Sequence, residues 1–267
     1  MDTCRQIGQW RIWLVLLGSF LVNWLVLFAH YDSMSPVFYG IVSAWTSLFG
    51  ADKAIAFTHY PQHFLLLGDY YGLAKLGVGL LVETAVLGFA VHLFARRFLM
   101  GGLAREQGEG ISVSRWLNIV LVWVLFNVLT MVAGIYMPEW FAPLLTGSRR
   151  ITVFNYVFMP GVVMGILSLL FFAIPAVVVF RENAIRAVWR SLKVFIHRPF
   201  TCFFLAFLVL TPPLLFSILS GNPADIVEKF KPELVYWLLS AGLLAEIVAN
   251  FFWMGTAVRF FAEPEEL

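Results

Sequence analysis

Residues 12–29 form a run without a single charged side chain, and runs of this kind recur along the chain. A helix rises about 1.5 Å per residue, so about 18 to 20 apolar residues are enough to cross the roughly 30 Å hydrocarbon layer of a bilayer. Only 13% of the residues are charged, whereas soluble domains carry about 25%. A soluble fold of this composition would expose large apolar patches. The sequence therefore predicts an all-α polytopic membrane protein.

Hydropathy predicts about six membrane-spanning helices in a single transmembrane domain that covers residues 1–267. We expect the first span to be retained, because it is too long for a signal peptide and no small-residue cleavage site follows it. The fifth span contains Pro212 and Pro213, which lack backbone donors, so we expect it to bend or to end early. The predicted spans are residues 12–29, 72–95, 117–136, 157–180, 200–220 and 235–258.

The distribution of Lys and Arg predicts the orientation of these spans. Twelve of these cations, Arg5 and Arg105 among them, fall on the side of the two termini, and five fall on the other side. Cytoplasmic segments carry the excess of Lys and Arg, so both termini are expected in the cytoplasm. The expected location is a bacterial inner membrane.

The outer side carries the longest connecting segment. Within it, Val37, Ile41, Trp45 and Leu48 recur at helical spacing and would form one apolar face. This pattern predicts an interfacial helix over residues 36–50. A shorter interfacial element is expected over residues 137–147.

A basic amphipathic helix is predicted between Arg181 and Arg198, on the cytoplasmic side. One face is apolar and another is cationic. One interpretation is that the helix captures a lipid phosphate or an acidic patch of a partner. The other is that it is an interfacial elbow whose cations only follow the positive-inside rule. The apolar face comprises Ile185, Val188, Trp189, Leu192 and Phe195, and the candidate lipid- or partner-binding residues are Arg181, Arg186, Trp189, Arg190 and Lys193.

The same stretch carries a pattern of residues: Pro175, Glu182, Ala187 and then Arg190-Ser191-Leu192. It resembles a pattern in six-helix bacterial membrane proteins that are related to the membrane domain of some glycerophosphodiester phosphodiesterases. The resemblance implies an accessory or lipid-associated role in the membrane. The catalytic phosphodiesterase domain has no counterpart here, so the resemblance assigns no active-site residue.

Polar side chains also occur inside the predicted spans. An ionised carboxylate near the bilayer centre costs at least about 2.5 kcal/mol, so such groups should face the bundle interior. Glu83 and Glu246 could couple protons or substrate in a transporter. Alternatively, these residues form interhelical hydrogen bonds that fix the packing. The candidates are Lys75, Glu83, Asn127, Glu246 and Asn250.

Neither a metal nor another cofactor is predicted. His59 and His63 are four residues apart, and with Asp69 they are the candidates for a metal site, but Pro61 lies between them. Histidines near an interface more often form hydrogen bonds, and we expect that role here.

The sequence favours a non-enzymatic protein that binds membrane lipids, anionic ones included, or a membrane protein partner. A homo-oligomer is a further possibility, and no nucleic acid is expected. The alternative is a secondary transporter or lipid translocator that uses Glu83 and Glu246. An intramembrane enzyme built on the outer histidines is disfavoured, because no nucleophile stands at a recognisable spacing from a base.

Overall fold

The computed structural model describes residues 9–57, 59–98 and 111–262, and every element in these ranges is a helix. Among the described residues, six helices are long and apolar enough to cross a membrane. The predicted all-α fold with six candidate spans is therefore confirmed. The candidate spans are α1 (Trp10–Tyr31), α4 (Gln62–Phe98), α5 (Val113–Leu144), α6 (Ser148–Val179), α8 (Pro199–Ser220) and α10 (Leu234–Ala262). The shorter helices are α2 (Pro36–Ser47), α3 (Ala51–Phe57), α7 (Ala184–His197) and α9 (Pro223–Lys229).

Several spans are longer than hydropathy predicted. Helix α4 has 37 residues and begins at Gln62, ten residues before the predicted start. At 1.5 Å per residue it is about 55 Å long, well beyond the thickness of the hydrocarbon layer. Hydropathy detects the apolar centre of such a helix and misses its more polar end.

Residues 137–147, expected as a shorter interfacial element, do not form a helix of their own, and their location at the interface stays a prediction. Helix α5 continues through Pro138 to Phe141, and a 3₁₀ turn over Ala142–Leu144 ends it. Pro138 leaves only the carbonyl of Gly134 without its usual amide donor, and this carbonyl lies within the last two turns of α5. Continuing the helix keeps the remaining backbone groups of this stretch hydrogen-bonded.

Helix α8 does not end early at its two prolines but continues to Ser220. Pro212 and Pro213 remove two amide donors, whereas ending the helix in lipid would expose several more backbone groups. The hydroxyl of Thr211 donates a hydrogen bond to the carbonyl of Phe207 (2.6 Å), one turn earlier.

Two π turns lie within the spanning helices, at Gly79–Glu83 in α4 and at Phe154–Phe158 in α6. Helix α6 is also interrupted at Phe171 and Phe172, which adopt a turn. These places leave backbone groups that the regular helical pattern does not pair. The interruption in α6 becomes important below, because α7 packs against it.

The chain divides into two compact units, and both are discontinuous in sequence. The first unit comprises Met1–Leu16, Glu83–Thr211 and Ala249–Leu267, and the second comprises Leu17–Val82 and Pro212–Val248. The prediction of a single transmembrane domain stays a prediction.

Each unit has its own apolar core. The core of the first unit includes Phe171, Phe172, Ala206 and Ala257, all fully buried. The core of the second unit is rich in aromatic side chains, such as Phe57, Phe64 and Tyr70, and also includes Leu67. In the second unit the rings of Tyr31 and Tyr236 also stack, with their centroids 4.3 Å apart.

The helix predicted within residues 36–50 is confirmed by α2, which ends at Ser47. It buries Val42 and Thr46. Val37 and Ile41 of the predicted apolar face are 73% and 72% exposed. Most of this face is therefore directed away from the core, although Trp45 packs against it, and the location of α2 at the membrane interface stays a prediction.

Helices α4 and α5 approach closely at Gly88, which gives a test of the packing in the first unit. A Cβ at Gly88 would lie 2.8 Å from Cδ1 of the buried Ile119. We expect Gly88→Ala to lower the free energy of unfolding by about 1–3 kcal/mol through overpacking. Thermal unfolding in detergent measures this.

Gly134→Ala is the matched control, because a Cβ there meets no atom within 4 Å. Ile119→Val removes Cδ1 and should recover part of the loss in the Gly88→Ala background. Equal stability of the Gly88→Ala and Gly134→Ala proteins would contradict the close approach.

Candidate functional site

The start of α7 is fixed by two asparagines. The side-chain oxygen of Asn183 accepts a hydrogen bond from the amide of Arg186 (2.9 Å), which caps the helix. The side-chain oxygen of Asn118, on α5, accepts one from the amide of Ala184 (2.8 Å). Just before the cap, Arg181 has a φ of 55°, the left-handed conformation in which helices often end. The end of α6 and the start of α7 are thereby separated by a tight connection that is tied to α5.

Arg190 and Glu182 form an ion pair that holds α7 to the connection before it. Nη2 and Nε of Arg190 donate to the carboxylate of Glu182 at 2.5 and 3.1 Å. The guanidinium also lies over the ring of Phe180, with its carbon 4.1 Å from the ring centroid. Bidentate pairs of this kind are among the stronger polar contacts in proteins. Arg190, a predicted lipid- or partner-binding residue, thus has a partner within the chain.

Ser191 satisfies the backbone at the interruption of α6. Its hydroxyl donates to the carbonyl of Leu169 (2.7 Å) and accepts from the amide of Phe172 (3.2 Å). The indole of Trp253, on α10, donates to the carbonyl of Phe171 (2.8 Å). The residues Arg190-Ser191, which carry the resemblance noted above, therefore have a local structural role.

Helix α7 buries a narrow face of small side chains. Ala187 and Ser191 are fully buried, and Val194 is 2% exposed. Bulkier residues at the first two positions would hold α7 away from α6, because protein interiors are close-packed. The expected apolar face is divided by this arrangement: Val188, Leu192 and Phe195 are partly buried, whereas Ile185 and Trp189 are exposed.

The side of α7 opposite to the buried face carries an apolar ridge. Ile185, Trp189 and Ile196 are 82%, 59% and 69% exposed. At about 100° per residue they fall within about 40° of one another on the helix, which defines the exposed ridge. The side chains of Arg186 and Lys193 are also exposed and lie to one side of it, and we call them the cationic flank.

This surface has the chemistry of a membrane-binding helix. Aliphatic and Trp side chains enter the boundary between headgroups and acyl chains, and neighbouring cations meet anionic headgroups. The sequence indicated the helix and its cations. It did not predict that Arg190 forms an ion pair within the chain whereas Arg186 and Lys193 are exposed. The position of Glu182, two residues before the helix, was a signal for this ion pair.

The structure brings two of the intramembrane candidates together. In the second unit, Glu246 of α10 forms an ion pair with Lys75 of α4. The side-chain amide of Asn127 donates to the carbonyl of Trp123 (2.8 Å) on its own helix. Glu83 lies at the end of the π turn in α4, and Asn250 is partly buried one turn after Glu246. Transport through Glu83 and Glu246 stays a prediction.

The outer histidines do not share a helix face. Helix α4 begins at Gln62 after Pro61, so His59 precedes it and only His63 belongs to it. His63 is buried beside Phe57 and Phe64, whereas His59 is exposed. In the described part of the chain no three His, Cys, Asp or Glu side chains are grouped so that they could hold a metal ion.

We compared the chain with models of known protein families, with curated proteins and with solved structures, and none of them matches. The resemblance around residues 175–192 stays a prediction. Of the cations that determined the expected orientation, Arg5 and Arg105 lie outside the described residues.

The ion pair between Glu182 and Arg190 can be tested by removing one charge. We expect Glu182→Gln to lower the free energy of unfolding by about 1–3 kcal/mol, because the partly buried guanidinium loses its ionic acceptor. Thermal unfolding and limited proteolysis near residue 181 measure the loss.

Lys193→Met on the same helix is the control and should leave stability within about 0.5 kcal/mol of the original protein, because its side chain is exposed. If Glu182→Gln also left the free energy of unfolding unchanged, the ion pair between Glu182 and Arg190 would not be what holds α7 in place.

Proposed function

We propose that this protein is a non-enzymatic component of a bacterial inner membrane, lipid-associated or accessory to a complex, which binds anionic phospholipid through α7. The observation that carries the proposal is the exposed ridge of α7 with the cationic flank beside it. Arg186 and Lys193 would contact headgroup phosphates, while Ile185, Trp189 and Ile196 enter the apolar boundary.

The position of α7 in the chain favours lipid over a soluble partner. Helix α8 begins at Pro199, directly after α7, and its second residue, Phe200, is 89% exposed. The exposed ridge therefore ends where a membrane-spanning helix begins. A surface so close to the start of α8 would lie at the level of the lipid headgroups if α8 spans the membrane.

The expected strength of this contact is modest. Each cation near an anionic surface contributes about 1 kcal/mol, so Arg186 and Lys193 together contribute about 2 kcal/mol. A difference of 1.4 kcal/mol corresponds to a factor of ten in affinity. Two cations therefore give a preference for anionic over neutral lipid of about thirtyfold.

Neutralising the cationic flank tests this function. We expect Arg186→Gln with Lys193→Gln to reduce the phosphatidylglycerol that copurifies in mild detergent by about tenfold or more. Quantitative mass spectrometry of bound lipids gives the measurement.

Arg149→Gln with Arg150→Gln is the matched control, because it removes two exposed arginines at the start of α6. This protein should retain phosphatidylglycerol. The same lipid content in both variants would overturn the proposal.

The proposed orientation places α7 on the cytoplasmic side, together with both termini. A Lys193→Cys protein, with Cys4 and Cys202 replaced, should react with an impermeant maleimide in inverted vesicles but not in intact cells, because this exposed position lies on the cationic flank. Tyr39→Cys, on α2, should react with the opposite preference, since that side chain is 52% exposed on the predicted outer segment. Labelling of residue 193 from outside the cell would contradict this orientation.

A further inference from the structure

His197 is the last residue of α7 and lies on the same side of the helix as the cationic flank. At about 100° per residue, Arg186, Lys193 and His197 fall within about 40° of one another. Lys193 and His197 are four residues apart, so their side chains are neighbours on the helix surface. Like the two cations, His197 is exposed. A histidine therefore extends the row that Arg186 and Lys193 begin.

One ring nitrogen of His197 is already used within the helix. Nδ1 lies 2.8 Å from the carbonyl oxygen of Lys193, which can only accept, so Nδ1 carries a proton and donates it. In a neutral imidazole the other nitrogen, Nε2, then has no proton and is itself an acceptor. The oxygens of an ionised phosphodiester are also acceptors. A neutral His197 therefore has no donor left for a headgroup phosphate.

Protonation of the ring reverses this. A second proton turns Nε2 into a donor and gives the ring a positive charge. A hydrogen bond from a charged donor to a charged acceptor is roughly twice as strong as a neutral one. Lys193, one turn earlier, would donate to the same phosphate. The protonated ring and the ammonium of Lys193 thus offer two charged donors side by side.

The charged residues nearest in sequence leave His197 available to an anion. Helix α7 contains neither Asp nor Glu, and α8 contains no charged residue. Glu182, just before α7, is engaged by Arg190. Arg198, which follows His197, has its guanidinium carbon 5.5 Å from the centroid of the Phe260 ring. Among the described residues His197 forms no ion pair.

The helices of the first unit that pack against α7 carry few charges. Glu139 is the only acidic residue among them, and it lies about 32 Å along α5 from Asn118, which contacts the start of α7. The charged residues in these parts of the described chain are Arg115 and Glu139 of α5, Arg149 and Arg150 of α6, and Arg259 of α10.

Histidine is the side chain whose ordinary titration falls between about pH 5 and pH 8. All five histidines of the chain lie in its described part. His30, His63 and His92 are buried, so the exposed ones are His59 and His197. His59 precedes α4, on the predicted outer segment. His197 is therefore the histidine that can add charge to the surface of α7.

We propose that His197 is a third phosphate-binding residue of the α7 surface, which holds an anionic headgroup together with Lys193 only when its ring is protonated. The proposal rests on the proposed binding of anionic lipid by α7 and adds the regulation of that binding by pH. Because the lipid prefers the protonated ring, affinity rises as the pH falls through the titration of the ring. One added cation should strengthen binding about fivefold, which corresponds to about 1 kcal/mol.

The pH response is measured with the full chain in mild detergent. A fluorescent phosphatidylglycerol is titrated at about pH 7.5 and at about pH 5.5, on either side of the ordinary titration of histidine. The phosphodiester of this lipid stays ionised at both values, so a change in affinity comes from the protein. We expect the original protein to bind about fivefold more tightly at the lower pH.

Two variants of His197 separate its charge from its packing. His197→Asn stays uncharged, while its amide can still donate to the carbonyl of Lys193, and it should lose most of the pH response. His197→Arg is charged at both pH values and should bind throughout about as tightly as the original protein does at the lower pH. His59→Asn is the matched control, because it removes the other exposed histidine, and it should keep the full response.

An equal pH response of the original protein and His197→Asn would overturn the proposal. A His197→Arg protein that bound no more tightly than His197→Asn would also overturn it, because charge at this position would then have no effect.

Arg186→Gln with Lys193→Gln distinguishes failure of this proposal from failure of the proposed function. If the double variant loses the lipid at the higher pH while acidification acts equally on the original protein and His197→Asn, binding by α7 stands and the role of His197 is wrong. If the double variant binds the lipid as well as the original protein does, binding by α7 fails and the role of His197 fails with it.

Discussion

The absence of water from the hydrocarbon layer is the constraint on which this structure depends. Every backbone amide and carbonyl inside it needs a partner from the chain, and each unsatisfied group costs several kcal/mol. This explains why α8 continues through Pro212 and Pro213 and why α5 continues through Pro138. It also explains why the interruption of α6 exists only where Ser191 and Trp253 provide hydrogen bonds to the backbone around Phe171 and Phe172.

Helix α7 combines two roles that its sequence does not separate. Its buried side, with Ala187 and Ser191, completes the hydrogen bonding of α6 and allows close packing. Its opposite side carries Ile185, Trp189 and Ile196, which no described part of the first unit covers. Because the buried side and the Glu182–Arg190 pair fix the helix, the exposed side is presented in one orientation. Preorganised surfaces of this kind lose less conformational entropy on binding.

Hydropathy and charge were sufficient to predict six candidate spans and the helix α7. They were insufficient for the ends of the spans, because Gln62–Tyr71 is helical but less apolar than the rest of α4. They were also insufficient for the ion pairs. Lys75 and Glu246 are 171 residues apart, and only the packing of α4 against α10 brings them together. Even for Glu182 and Arg190, only eight residues apart, the contact requires Glu182 to lie in the non-helical connection before α7, which hydropathy does not detect.

Two sets of charges among the described residues would meet a bilayer differently. Arg186 and Lys193 are exposed at the end of a span, where water and headgroups stabilise a net positive charge. Lys75 and Glu246 form an ion pair between α4 and α10, and within a hydrocarbon layer such a neutral pair costs far less than a single charge. On the proposed function, the first set selects for negatively charged headgroups, whereas the second set is neutralised within the chain. A phospholipid with a net negative headgroup therefore suits the surface of α7, and the ion pair offers it no net charge to bind.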